Sequence, residues 1–169
     1  SIMRMVYLSL GPNMGDRQMF LQLAIGQMTI LSHKLFVSGA LKDRAAKAMN
    51  ELESCSLCPR NCRVDRLNGE LGLCASGLHA RIASYGAHFG EEQPLVGSNG
   101  SGAIFFASCS LHCSFCQNYE ISHFPENYPE TDEYNLASIM LELQEQGCHN
   151  INFVTPTHFV PQIILALEI

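Results

Sequence analysis

The chain has 169 residues, 47% of them hydrophobic, a net charge of −6 and a pI near 5.6. That length suggests one domain with at most a small appendage, and that composition can build a core. The acidic balance argues against nucleic acid as a partner, and no apolar run reaches the ~20 residues needed to span a bilayer, so no membrane partner is expected.

Eight cysteines in a short chain would suit a disulfide scaffold. Here they are tightly spaced, and the start lacks a charged region followed by an apolar core and a cleavage site. This pattern favours metal or cluster binding in a reducing compartment, and a cytoplasmic location is expected.

Met5-Val-Tyr-Leu-Ser-Leu10 reads as a short strand, Gly11 to Asp16 as a turn-rich loop, and Arg17 to Leu31 as a helix with Asp16 as N-cap. Ser32 to Ser38 looks like a junction. Gly39 to Ser54 is helical, with Leu41, Ala45, Ala48, Met49 and Leu52 on one face and Lys42, Asp43, Arg44 and Lys47 mostly on the other.

A cysteine group follows: Cys55-x2-Cys58-x3-Cys62-x11-Cys74. The stretch is loop-rich, with Pro59, Asn61, Asn68, Gly69 and Gly72, and too short and polar to make its own core. Four cysteines suit a tetrahedral zinc site or an auxiliary [4Fe–4S] cluster, with unmetallated thiols as the remaining alternative. Arg60, Arg63 and Arg66 could offset thiolate charge, but the default expectation is solvated loop arginines. Residues 76–101 read as short strands and turns. Gly97-Ser-Asn-Gly100-Ser-Gly102 lacks the Lys-Ser/Thr of a phosphate loop and reads as a flexible turn.

The strand-like stretch Gly102-Ala-Ile-Phe-Phe-Ala-Ser leads into Cys109-Ser-Leu-His-Cys113-Ser-Phe-Cys116, a C-x3-C-x2-C run. Three thiolates can hold three corners of a [4Fe–4S] cube and leave one iron open, where an electron carrier uses four. The competing reading is zinc, with His112 or His123 as the fourth ligand. Phe124 to Pro129 is a proline-bearing loop. A helix is predicted from about Tyr134 to Gln146, with Leu136, Ile139, Met140 and Leu143 as its apolar stripe and Gly147 as its stop. Cys148 is expected as a buried or half-buried small apolar residue. Asn150-Ile-Asn-Phe-Val154 is a strand, Thr155-Pro-Thr-His158 a loop, and a last helix begins near Pro161. The order strand, loop, helix, strand, loop, helix over 102–169 is the start of a parallel α/β layout, and both loops follow C-terminal strand ends, where such folds place their chemistry.

Two resemblances add to this reading. Val6-Tyr-Leu-Ser-Leu-Gly-Pro-Asn-Met-Gly-Asp-Arg17 resembles the N-terminus of 6-hydroxymethyl-7,8-dihydropterin pyrophosphokinases. The family's acidic Mg²⁺ ligands and basic phosphate contacts have no counterpart further along, which argues against that transferase activity. From about residue 40 to 169 the chain resembles radical SAM proteins related to pyruvate-formate-lyase activating enzymes. The resemblance is carried by Cys55-Ser-Leu-Cys58-Pro-Arg-Asn-Cys62, Gly69-Glu-Leu-Gly72-Leu-Cys74, Cys109 to Asn118, and Asn150 to Phe159.

It implies an enzyme in which Cys109, Cys113 and Cys116 ligate a [4Fe–4S] cluster whose open iron chelates S-adenosylmethionine, cleaved to a 5′-deoxyadenosyl radical. It implies Phe115 near the adenine side of that cofactor. The loop after the second strand would meet the methionine end. There relatives carry a Gly-Gly-Glu-like segment, and this chain offers the Thr155 and Thr157 hydroxyls and His158. A protein substrate, such as a glycyl radical site, and a flavodoxin or ferredoxin electron donor are implied as partners. The expected fold is α/β: the first βα units of a partial radical SAM barrel, preceded by a small cysteine-rich metal-binding segment. Segments are expected at 1–38, 39–101 and 102–169, the last truncated, because a complete barrel needs roughly 200 residues or more. The alternative function is a non-catalytic zinc-binding interaction module.

Overall fold

The computed structural model describes residues 34–169. The strand, loop and helix expected within residues 5–31, and with them the pterin-kinase-like stretch, lie outside the described residues. The described part is mixed α/β around one four-stranded mixed sheet, in the order β3-β1-β2-β4.

α1 (Ala40–Asn50) starts after Gly39, whose φ of 76° is left-handed, and runs into a 3₁₀ turn, Glu51–Ser54. Ala45 and Leu52 are buried, and the expected charged face is exposed. The cysteine-rich stretch follows without regular structure except a short 3₁₀ turn at Arg66–Asn68.

The region expected as short strands holds a nine-residue strand, β1 (Ala80–His88), and a one-turn helix, α2 (Gln93–Val96). The length of β1 escapes sequence reasoning because only its first half alternates buried and half-exposed residues, at Ala80 and Ile82; beyond Ile82 none of its residues is buried. β1 is antiparallel to β2 (Ser101–Phe106), from Ile82 opposite Phe106 to His88 opposite Ser101. β2 is buried along almost its whole length, as a central strand should be. The turn reading holds for Gly97 and Gly100, both at positive φ, while Gly102 belongs to β2.

The stretch expected as a loop after the cysteine triad contains a short helix, α3 (Tyr119–His123), a 3₁₀ turn at Pro125–Asn127, and a two-residue edge strand, β3 (Glu130–Thr131), on β1. α4 (Glu133–Glu145) forms as the sequence predicts. The Asp132 carboxylate accepts from the Asn135 N–H at 2.8 Å, an N-cap, and Leu136, Ala137, Met140 and Leu143 are its buried face. It stops at Gly147, φ 82°, with Cys148 N–H donating to Leu143 O and Gly147 N–H to Gln144 O. That 6→1 and 5→2 pair is a Schellman ending, which needs a left-handed residue.

The chain then enters β4 (Ile151–Val154), parallel to β2 with Gly102 opposite Ile151 and Phe105 opposite Val154. α5 (Val160–Glu168) follows, with Pro161 in its first turn, and packs on α4 and α1. The two predicted βα units are therefore present, with a parallel pair at their centre. The sheet is mixed rather than parallel because β1, and through it β3, joins the far side of β2. The core is one cluster, including Ile82, Ile104, Phe106, Leu136, Met140, Leu143, Ile151, Phe159 and Ile163. Cys148 is buried in it as expected, and burial pushes its thiol pKa up. Among the described residues no helix is long and apolar enough to cross a membrane.

Candidate functional site

The two loops that leave β2 and β4 emerge side by side because those strands are parallel neighbours. The first carries Cys109, Cys113 and Cys116, all partly accessible; the second carries Thr155, Thr157 and His158. All eight cysteines are free thiols. Among the described residues, no three His, Cys, Asp or Glu side chains are gathered closely enough to hold a metal ion, and this applies to the triad and to Cys55, Cys58, Cys62 and Cys74 alike.

The backbone around the cysteines is unusual. Six non-glycine residues among those described have positive φ: Asn61, Arg63, Ala75, Ser108, His112 and Thr155. Five of them adjoin a cysteine, namely Cys62, Cys74, Cys109 or Cys113, and the sixth opens the loop after β4. A left-handed backbone costs of order 1–3 kcal/mol per residue and persists only where surroundings over-determine it. For a β-branched residue such as Thr155, with φ 58°, it is a true outlier. Such strain concentrates at binding sites and active sites.

Hydrogen bonds hold these conformations. Ser108 N–H donates to Ile121 O at 2.7 Å. The Ser108 hydroxyl meets Cys74 O and the Ser76 hydroxyl, which ties the upstream cysteine segment to the triad loop. Arg60 donates from Nε to Ser110 O at 2.9 Å and from its terminal nitrogen to Leu111 O at 3.2 Å. Two sulfurs of the triad accept hydrogen bonds. Leu111 N–H donates to Cys109 Sγ at 3.4 Å, and Ser122 O–H donates to Cys116 Sγ at 3.4 Å. His123 Nδ1 faces Tyr119 O at 3.2 Å, and a carbonyl only accepts, so Nδ1 carries the proton and Ser122 Oγ accepts from it at 2.8 Å. The single serine hydroxyl hydrogen faces two acceptors, the Cys116 sulfur and Tyr119 O at 3.1 Å. His123 stacks on Tyr119 and neighbours His112. Burial, then the nearby His123 and Arg60, lowers the His112 pKa.

Arg66 corrects the expectation of solvated arginines. It is 1% exposed, donates twice to Gly77 O at 3.0 and 2.7 Å and once to His158 O at 2.8 Å, and stands over the Phe159 ring. Its guanidinium also lies 3.9 Å from Cys55 Sγ. Arg60 is likewise engaged, while Arg63 is exposed as expected. Neither Arg60 nor Arg66 could be recognised locally: their acceptors lie 11 to 92 residues away.

The structure buries His158 to 1% exposure under both loops, where Nε2–H donates to Ala107 O at 3.2 Å and Nδ1 has no partner. Burial foremost, with the neighbouring Arg66 charge adding and the Ala107 bond opposing, pushes its pKa down to about 4, so the ring is neutral. Thr155 is partly exposed and Thr157 exposed. Phe115, expected beside an adenine, is 89% exposed at the loop's outer turn.

The triad loop thus presents three free thiols, N–H and O–H donors near two of the sulfurs, and left-handed residues just before Cys109 and Cys113.

Comparison with known proteins gives little beyond this geometry. The chain is 33% identical over 129 residues to "Uncharacterized protein MJ0674" of Methanocaldococcus jannaschii, an alignment covering 72% of this chain and 36% of that protein. The chain thus spans about a third of the relative's length. No protein-family model and no solved structure matches it.

Proposed function

We propose that this chain is part of a radical SAM enzyme, that its βα units are the first of a partial barrel, and that Cys109, Cys113 and Cys116 hold a [4Fe–4S] cluster with one open iron. The observation that carries this reading is the triad loop itself: three free thiols at the C-terminal end of a central strand, between strained residues and beside a second strained loop on the parallel neighbour. Those three cysteines would hold the cluster, which together with S-adenosylmethionine would supply one-electron radical chemistry for hydrogen abstraction.

The chain's own residues bind and orient. Leu111 N–H and Ser122 O–H stabilise charge on the Cys109 and Cys116 sulfurs. Thr155 and Thr157 offer hydroxyls to the methionine end of the cofactor, and Phe115 an apolar face to its adenine. His158, neutral and bonded to Ala107 O, holds the second loop against the end of β2. The upstream cysteines Cys55, Cys58, Cys62 and Cys74 form the accompanying zinc or auxiliary-cluster segment. A protein substrate and a flavodoxin or ferredoxin donor follow from the activating-enzyme resemblance.

The test is EPR of anaerobically reconstituted, dithionite-reduced protein, with and without S-adenosylmethionine. A [4Fe–4S]⁺ signal that changes on adding the cofactor supports the open iron. Stoichiometric zinc with no cluster would replace this reading with that of a zinc-binding module.

A further inference from the structure

The peptide joining Ser110 to Leu111 is held from both sides. On one side Arg60, in the turn between Cys58 and Cys62, donates to Ser110 O at 2.9 Å and to the next carbonyl, Leu111 O, at 3.2 Å. On the other side the Leu111 N–H donates to Cys109 Sγ at 3.4 Å. In a trans peptide the C=O and N–H of one unit point in opposite directions, and no cis peptide occurs among the described residues. Fixing the Ser110 carbonyl therefore fixes where the Leu111 N–H points. If this peptide turned over, both bonds would be lost together.

We infer that Arg60 is a positioning residue for the triad loop: reaching across from the upstream cysteine segment, it orients the Ser110–Leu111 peptide so that its N–H is aimed at the Cys109 sulfur. The inference rests on the reading above for its redox consequence, and on the hydrogen bonds alone for its structural part. Arg60 suits the task because its planar fork grips two successive carbonyls, which a lysine ammonium on a flexible stem does less well. The next residue, His112, is left-handed, with φ 51°. Arg60 is itself exposed, so its removal should leave the fold intact.

Hydrogen bonds to cluster sulfurs are among the factors that set reduction potential. A donor aimed at a sulfur favours the reduced state, which carries one more negative charge. A nearby positive charge acts in the same direction, so Arg60→Met removes both effects, whereas Arg60→Lys keeps the charge and loses the fork.

The experiment uses the full chain as wild type, Arg60→Lys and Arg60→Met, with circular dichroism to check folding. Amide exchange at Leu111 is measured by NMR on the metal-free proteins, and EPR-monitored potentiometry on the reconstituted ones. Leu111 exchange should quicken by about tenfold in both variants, the effect of losing one modest hydrogen bond. The potential should move negative in both, further in Arg60→Met. Unchanged Leu111 exchange in both variants would overturn the inference. So would full recovery of exchange and potential in Arg60→Lys, because charge alone would then suffice. If the wild-type triad takes up no cluster, the reading of the function fails, and the exchange measurement still decides the role of Arg60.

Discussion

His158 makes stability depend on pH in a calculable way. The ring is neutral in the fold, with a pKa of about 4 against an ordinary 6.5, mainly because burial disfavours the imidazolium. Its Nε2–H is used by Ala107 O, and a proton arriving at Nδ1 would find no acceptor there. The sign follows from proton counts. Between pH ~6.5 and pH ~4 the unfolded chain binds a proton at this residue and the folded chain does not, so acid favours unfolding. The contribution is complete above pH ~6.5 and is lost as pH falls towards ~4. The slope within that window is about 1.4 kcal/mol per pH unit. The loss is thus about 2 kcal/mol between pH ~7.5 and pH ~5, and about 3 kcal/mol once pH is below ~4.

The assay is urea unfolding at both pH values for wild type and His158→Gln. Glutamine keeps a donor for Ala107 O and does not titrate in this range. Carboxylates elsewhere contribute to both proteins and cancel in the difference. Wild type should lose about 2 kcal/mol more than the variant between pH ~7.5 and pH ~5, with equal m-values. Equal losses in the two proteins would refute the reasoning: they would mean that the ring takes up its proton in the folded state, so that water or a rearranged loop reaches Nδ1.

Two further predictions concern packing. Arg66→Met keeps much of the volume but leaves Gly77 O and His158 O without their donor, and should cost about 2–4 kcal/mol in urea unfolding; an unchanged midpoint would show that relief of the buried charge offsets both bonds. Gly102→Ala places a methyl 2.9 Å from Asn150 O and 3.2 Å from Leu143 Cβ, between β2, β4 and α4, and should cost about 1–3 kcal/mol; a thermal midpoint equal to wild type would refute so close an approach.

The elements that sequence reasoning recovered are those whose information is local. β2, α4, β4 and α5 announce themselves through apolar spacing, and α4 also through Asp132 before it and Gly147 after it. β1 was only partly legible because beyond Ile82 its pairing is set by β2, without buried side chains of its own to mark it. For the candidate site, the cysteines and the two loops were legible from spacing and strand order, and their supports were not. An arginine in a polar loop looks solvated until its acceptors are known, and those of Arg66 are supplied by Gly77 and by His158, 11 and 92 residues on. His158 looked available for a ligand, and its Nε2 is taken by a carbonyl 51 residues earlier in the chain.

These supports all run between segments that look independent in sequence. Arg60 and Cys74 join the upstream cysteines to the triad loop, through Ser110, Leu111 and Ser108. Arg66 joins them to the loop after β4, and His158 joins that loop back to the end of β2. The left-handed residues lie along this circuit, where conformations costing of order 1–3 kcal/mol each need partners from more than one direction. A circuit of this kind gives the upstream cysteine segment a task that does not depend on a bound metal. It fixes the backbone from which the triad thiols project, so a change at Cys55–Cys74 should be felt at Cys109–Cys116 through Arg60 and Ser108 before any diffusing ligand is involved.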